Sequence, residues 1–369
     1  MILSDFPSEL VEEILSRVPA ASLKRLRSTC KQWNSLFKEP GFTEKHFRTA
    51  PKQSHVLLLK DHRVYSTNIS FNVAPPSIEF KGPLCPTDSH SNSEQIDIFQ
   101  VIHCDGLLLC ISTMSKIVVW NPWLGEARRI QSKGGYKAYS QFGIGYDNNK
   151  PCRSYKILRF WPKWNYDNRV YEFEIYELRS GSWRVLDDVS LDYDTHVRQE
   201  GIVSLKGNTY WLGKDKDLLC FDFTTERLKH RPLLPLFPKS DHAALSAVKD
   251  EKLAVLHLDF GTLQVTMWVT DRIDETEGAI LSWSKFFKVD FDCTLRYPFP
   301  FFRSFLYDEE KKTALCGDLD SGANKKKLYI IRKADEYNSE TPYVEFTNQT
   351  FCRPCLFYYV PSLVQIPAK

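Results

Sequence analysis

The run Phe6–Phe37, FPSELVEEILSRVPAASLKRLRSTCKQWNSLF, carries its apolar residues at helical rather than strand spacing. Leu10, Ile14 and Val18 recur every four residues, with Val11 and Leu15 beside them. After Pro19, Leu23, Leu26, Cys30 and Trp33 follow at three- and four-residue steps. The spacing predicts two short amphipathic helices, broken at Val18-Pro19 because a residue before proline is driven out of the α region. Asp5 or Ser8 is expected to cap the first helix, with Pro7 in the first turn, where a missing N–H is no loss. Ser22 is expected to cap the second.

A segment of this size, residues 1–47, cannot bury both apolar faces within itself. The faces need another surface, and two are open to them. The helices either cap the domain that follows or form a hook laid into another protein's groove.

The order of residue types bears on that choice. Phe6-Pro7, Glu9-Leu10, Glu13-Ile14-Leu15, Arg17-Val18-Pro19, Ser22-Leu23, Arg25, Arg27, Cys30-Lys31, Trp33 and Leu36 stand in a gapless order that resembles the F-box. The family pattern runs Leu-Pro, Glu-Leu, Ile-Leu, Arg-Leu-Pro, Leu, Arg, Val-Cys-Lys-Trp, Leu. Phe6 and Val18 stand where leucine is usual, and Thr29 replaces the valine before Cys30. The resemblance implies docking on the Skp-family adaptor of a Skp–cullin–F-box ubiquitin ligase. The anchors it implies are Phe6, Pro7, Leu10, Ile14, Leu15, Val18, Pro19, Leu23, Leu26, Cys30 and Trp33.

Beyond residues 48–54, which read as a linker, the period changes to short strands separated by turn residues. Gly106–Ile111 leads to Ile117–Pro122, and Val170–Leu178 to Arg179–Trp183. Asn208–Gly213 leads to Leu218–Phe223, Leu253–Leu258 to Val265–Val269, and Lys312–Cys316 to Lys327–Ile331. β units repeating about every 40–60 residues point to a propeller, whose blades bury their faces only against neighbours. With a first blade from His55 to about Phe80, six blades are expected, and Phe357–Leu363 is expected to return and pair with the first. A β-sandwich is the alternative.

Cys104-Asp105-Gly106-Leu107-Leu108-Leu109-Cys110, Val119-Trp120-Asn121-Pro122, Gly143-Ile144-Gly145-Tyr146-Asp147 and Tyr155-Lys156-Ile157 resemble the plant F-box-associated interaction region, related in architecture to Kelch-type propellers. The expected fold class is an α+β multidomain chain. A small all-α F-box over residues 1–47 would precede an all-β, six-bladed, propeller-like domain over residues 55–369.

Composition narrows the partners. The 369 residues are 43% hydrophobic and 14% aromatic, enough for a sizeable core. A net charge of +3, from 49 basic and 46 acidic residues mixed along the chain, gives no basic face for nucleic acid. Lys325-Lys326-Lys327 reads as a solvated hairpin tip. No window approaches the roughly 18 apolar residues of a membrane helix, and no secretory signal opens the chain. The ten cysteines are then expected to be reduced thiols, in the nucleus and/or the cytoplasm.

Motifs for chemistry are incomplete. Cys352-Arg353-Pro354-Cys355 lacks a second pair of zinc ligands. His103-Cys104-Asp105 places neighbours on opposite faces of a strand, so they do not form a nucleophile–base pair. Gly143-Ile144-Gly145 lacks the third glycine and helix of a dinucleotide loop. Asp187, Asp188, Asp192 and Asp194 read as a solvated loop. No catalytic residue, cofactor or metal is expected.

Two aromatic, proline-bearing stretches read as rigid loops able to hold a target protein: Trp161, Trp164 and Tyr166, and Tyr297, Phe299 and Phe301. The expected function is a non-catalytic substrate receptor that links a target to the adaptor and, through it, to cullin. The rival is a propeller hydrolase or oxidase with a helical cap, distinguishable by carboxylates or metal ligands converging at the axis. A third possibility is a scaffold whose F-box works without cullin.

Overall fold

The computed structural model describes residues 6–70, 77–86, 96–113, 116–132, 134–135, 137, 139–165, 168–191, 201–213, 217–232, 241–249, 251–273, 281–290, 302–320, 325–332, 346–347 and 354–367. The N-terminal region holds four helices: α1 (Ser8–Ser16), α2 (Ala20–Leu26), α3 (Lys31–Leu36) and α4 (Pro40–Thr49). The second predicted helix is therefore two. Its spacing runs on through residues 27–29, but the Ser28 and Thr29 hydroxyls donate to the Arg25 and Leu26 carbonyls at 2.8 Å. Such local side-chain bonds compete with the helix ladder, and Cys30 is extended (φ −143°, ψ 126°).

The capping expectation is also corrected. Pro7 and Pro19 hold the positions before α1 and α2 without any side-chain cap bond, and Ser22 lies inside α2. Proline arrives with φ already fixed, so the chain turns straight into the helix. Asp5 lies outside the described residues. At its far end α4 runs two residues past the expected boundary at residue 47.

Six four-stranded antiparallel sheets follow. Blade 1 contains β1 (His55–Lys60), β2 (Arg63–Ser70) and β3 (Ser77–Leu84). Blade 2 is β4 (Ile98–Cys104), β5 (Leu107–Ser112), β6 (Ile117–Asn121) and β7 (Glu126–Ile130). Blade 3 is β8 (Gln141–Tyr146), β9 (Tyr155–Asn165), β10 (Asn168–Glu177) and β11 (Ser182–Val185). Blade 4 is β12 (Val203–Leu205), β13 (Asn208–Leu212), β14 (Asp217–Asp222) and β15 (Arg227–Pro232). Blade 5 is β16 (His242–Val248), β17 (Lys252–Asp259), β18 (Gln264–Thr270) and β19 (Trp283–Asp290). Blade 6 is β20 (Phe305–Asp308), β21 (Thr313–Asp320), β22 (Lys325–Arg332) and β23 (Phe346–Thr347).

The last strand, β24 (Cys355–Tyr359), becomes the inner strand of blade 1, with His55 opposite Tyr359 and Leu59 opposite Cys355. It stops at Tyr359, earlier than the expected Leu363, and residues 360–367 continue without regular structure. The inner strands β24, β4, β8, β12, β16 and β20 each touch the next, closing the ring. Closure leaves the inner edges covered by neighbours, which is how propellers protect them. Between blades 3 and 4 the approach is so close that a Cβ on Gly145 would sit 2.1 Å from the Gly207 carbonyl oxygen.

Candidate functional site

The F-box-like helices present two faces. Inward, Val11, Leu15, Leu23, Phe37 and Phe42 form one buried cluster that also takes Leu363 from the far end of the chain. Outward, Phe6, Leu10 and Ile14 are 37%, 44% and 43% exposed, with Pro7 beside them. Residues four apart share a helix face, so α1 buries the 11/15 row and leaves the 10/14 row open. Val18, Pro19, Leu26, Cys30 and Trp33 are half-buried. Leu15 and Leu23, at 3% and 0% exposure, are core residues and not surface anchors. Periodicity alone does not say which of two neighbouring rows faces inward; Phe37 and Phe42, arriving from later elements, decide it.

Charged side chains border the open row. Glu13 pairs with Arg17 at 2.6 Å and with Lys45 at 2.9 Å, and Lys45 also reaches Glu12 at 3.0 Å. Hydrogen bonds from Lys45 and then Arg17 hold the Glu13 carboxyl below its ordinary range.

The helical unit is fastened to the propeller at several points. Trp123 Nε1 donates to the Ala20 carbonyl at 3.2 Å, and Lys24 Nζ lies 4.9 Å from the Trp123 ring centre. Arg153 Nη1 donates to Glu44 Oε2 at 2.9 Å. Its Nε lies 3.1 Å from Asp105 Oδ2, near enough for an ion pair though not angled as a hydrogen bond. The guanidinium covers the Phe47 ring at 3.7 Å, and Tyr155 donates its hydroxyl to Asp105 at 3.1 Å. Burial and then the Asp105 charge push the Tyr155 phenol far above its ordinary value. Asp105 thus serves this clamp.

Asn121 closes the same region from the propeller side. Fully buried, it donates to the Ser362 and Val364 carbonyls at 3.2 and 2.9 Å, and accepts from the Trp123 and Leu124 amides at 3.0 and 3.2 Å. Arg153, Glu44, Asn121 and Trp123 were not among the predicted site residues. Val119-Trp120-Asn121-Pro122 stood out in the sequence as part of a strand unit and of the resemblance to the F-box-associated region, not as a contact with the end of the chain.

The axis of the propeller holds a cavity of about 80 Å³ lined by Gln100, Ser246, Arg303, Ser304 and neighbouring inner-strand residues. On the side of the helices a second hollow of about 180 Å³ is bordered by Phe47, Lys52, Asp105 and Arg153.

Of the expected target-binding aromatics, Trp161 and Trp164 lie among the described residues. Trp161 lies in β9 opposite Glu172, not in a loop, and is 8% exposed. The Arg159 and Lys137 cations stand 5.1 and 5.6 Å from its ring centre. The strand extends through Pro162, which stands opposite Tyr171 of β10 and so is carried into the ladder. Trp164 belongs to the same strand. Tyr166, Tyr297, Phe299 and Phe301 lie outside the described residues, as does Cys352 of the CxxC motif. Among the described residues Cys355 is a free thiol, and no His, Cys, Asp and Glu cluster is arranged to hold a metal.

Comparison with known proteins places these features in context. Residues 3–45 match the F-box domain and residues 55–366 the F-box associated beta propeller domain. F-box only protein 9 of Arabidopsis thaliana is 51% identical over 370 residues, covering 99% of this chain and 96% of its own. An F-box protein of the same plant is 49% identical over 345 residues, covering 90% and 96%. Among solved structures, the six-bladed fungal lectin of Aleuria aurantia is 13% identical, covers 77% of this chain and 89% of its own, and superposes with a TM-score of 0.40.

Proposed function

Because the chain belongs to the F-box proteins that carry an F-box associated β-propeller, we propose that it is the substrate-recognition subunit of a Skp–cullin–F-box ubiquitin ligase. The observation that carries this reading is the open row of Phe6, Pro7, Leu10 and Ile14, which the fold leaves uncovered while it buries the adjacent row. A row of large apolar side chains at helical spacing suits a groove on a partner. Burying such side chains contributes up to about 1.5–3 kcal/mol each before association costs. Those costs and the existing half-exposure make the sum an upper bound.

In this reading the propeller holds the target while the adaptor and cullin bring the ubiquitin-charged enzyme. The receptor raises effective concentration and supplies no reacting group. Its setting in this reading is the nucleus and/or the cytoplasm, where cysteines stay reduced.

Co-purification of a Skp-family adaptor with the complete chain and with its Leu10→Asp/Ile14→Asp variant tests the docking step. Wild type is expected to retain the adaptor and the variant to lose it, with the melting temperature of both unchanged within a few degrees. A folded wild-type chain that ignores the adaptor overturns the proposal.

A further inference from the structure

Arg303 is unlike the other buried arginines of this propeller. Arg159 has Glu174 at 3.1 Å, and Arg128 donates to two backbone carbonyls and the Tyr176 hydroxyl. Arg303 is only 7% exposed. It makes one 3.3 Å bond, from Nη1 to the Phe99 carbonyl, with its guanidinium 5.0 Å from the Phe99 ring centre. No carboxylate among the described residues lies within ion-pair distance of it, and no aspartate or glutamate lines the cavity that it faces.

A guanidinium cannot shed its proton to relieve such a position, as a lysine or histidine can. Its planar fork of donors matches a carboxylate in particular. Neighbouring groups add neutral donors. The Gln100 amide lines the cavity, and Ser304 Oγ accepts from Leu356 N at 2.7 Å while its hydroxyl faces the Cys355 thiol, a weak acceptor that a carboxylate would outcompete. Lys249 lines the same cavity but pairs with Glu309 at 3.4 Å, so Arg303 is the cation left to a ligand, which suits a single negative charge better than a phosphate dianion. A cavity of about 80 Å³ admits the end of a side chain but not a metabolite of ordinary size.

The position along the axis matters as well. Inner strand β4 ends beside Asp105, under the helical unit, and Phe99 stands at its opposite end. Arg303 precedes β20 and bonds Phe99, so it lies at the end of the channel remote from the F-box. The near mouth is bordered by Phe47 and Lys52, whereas Arg303 stands towards the far face.

We propose that Arg303, with Gln100 and Ser304, forms a carboxylate-binding site in the propeller channel that takes an aspartate or glutamate side chain of the target protein. This rests on the receptor reading above, but its test does not involve the adaptor. The immobilised complete chain is offered three pools of C-terminally amidated nonapeptides, degenerate except for a central Glu, Gln or phosphoserine. The Glu pool is expected to be retained at least about tenfold above the Gln pool, as suits a desolvated charge pair. Arg303→Gln is expected to erase the difference.

Gln100→Glu supplies a second, independent variant. It offers Arg303 an internal carboxylate, so it should raise the melting temperature and abolish Glu retention, and should do neither in a chain that also carries Arg303→Gln. If Arg303→Gln does not fold, loss of retention in Gln100→Glu supports the site and persistence overturns it. Equal retention of the Glu and Gln pools by folded wild type, or preference for the phosphoserine pool, also overturns it.

Discussion

Arg153, in the turn before β9, donates to Glu44 of α4 across 109 residues of chain at 2.9 Å, and so ties the helical unit to the propeller. Both side chains are largely shielded, at 17% and 13% exposure. Burial would lower the Arg153 pKa, but Asp105 and the Tyr146 and Tyr155 phenols outweigh it and raise the value. The guanidinium stays charged, and the clamp acts at every physiological pH.

Arg153→Ala is therefore expected to cost about 1–3 kcal/mol by removing the cation that joins Glu44 to Asp105, with Arg48 still paired to Glu44 at 3.1 Å. Arg153→Lys is not expected to restore it, because a single ammonium does not cover Phe47 while reaching two carboxylates. Hydrogen exchange within residues 40–49 should accelerate in both variants. Unchanged exchange there would mean that the apolar contacts alone hold the unit.

Asn121 offers a sharper comparison. Replacing it with alanine orphans two carbonyls and two amides in a fully buried site, an expected loss of about 2–3 kcal/mol. Asn121→Asp keeps the acceptor but sets a charge against the Ser362 and Val364 carbonyls, and should melt lower than the alanine variant. The reverse order in thermal melting would contradict the donor role assigned to its amide.

His46 makes the helical unit sensitive to acid. Its Nε2 lies 2.8 Å from the Val18 carbonyl, and burial lowers its pKa from the ordinary 6.5, only partly offset by that bond. The unfolded chain thus binds the proton first. The stability that neutral His46 contributes is complete above pH 6.5 and falls away as the pH drops from there through the lower folded value. Melting curves between pH 7.5 and 5 should show a smaller acid loss in His46→Gln than in wild type. Parallel profiles would show that other groups carry the acid dependence.

Leu23 and Leu10 separate packing from docking. Leu23→Ala, at 0% exposure, is expected to cost about 2–5 kcal/mol. Leu10→Ala, at 44% exposure, should change stability by no more than about 0.5 kcal/mol. Urea unfolding of the two variants reads the difference directly. Equal destabilisation would mean that the 10/14 row is packed.

Much of the architecture was legible along the chain. The period of Leu10, Ile14 and Val18 marks α1, and the strand-turn-strand units from His55 onward mark the blades. The run Phe357–Leu363 is recognisable as a strand in search of a partner, and its first part, within β24, pairs with β1. The break at residues 27–29 was not legible, because the same apolar spacing continues through it and only the Ser28 and Thr29 side-chain bonds reveal the turn. Trp161 looked like a loop residue because of Pro162 beside it, yet the Trp161–Glu172 pairing carries it into blade 3.

Local spacing expresses the geometry of the backbone, which repeats every 3.6 residues in a helix and every two in a strand, so the sequence by itself determined the helical hook, the repeating β units and their family resemblance. Ring closure is a different matter. It brings residue 303 against residue 99, residue 153 against residue 44 and residue 121 against residue 364, and no periodicity links those positions. Tertiary structure alone decided which row of α1 stays open, which arginine is clamped and which faces the channel, because charge pairing and burial depend on distance in space rather than on separation along the chain.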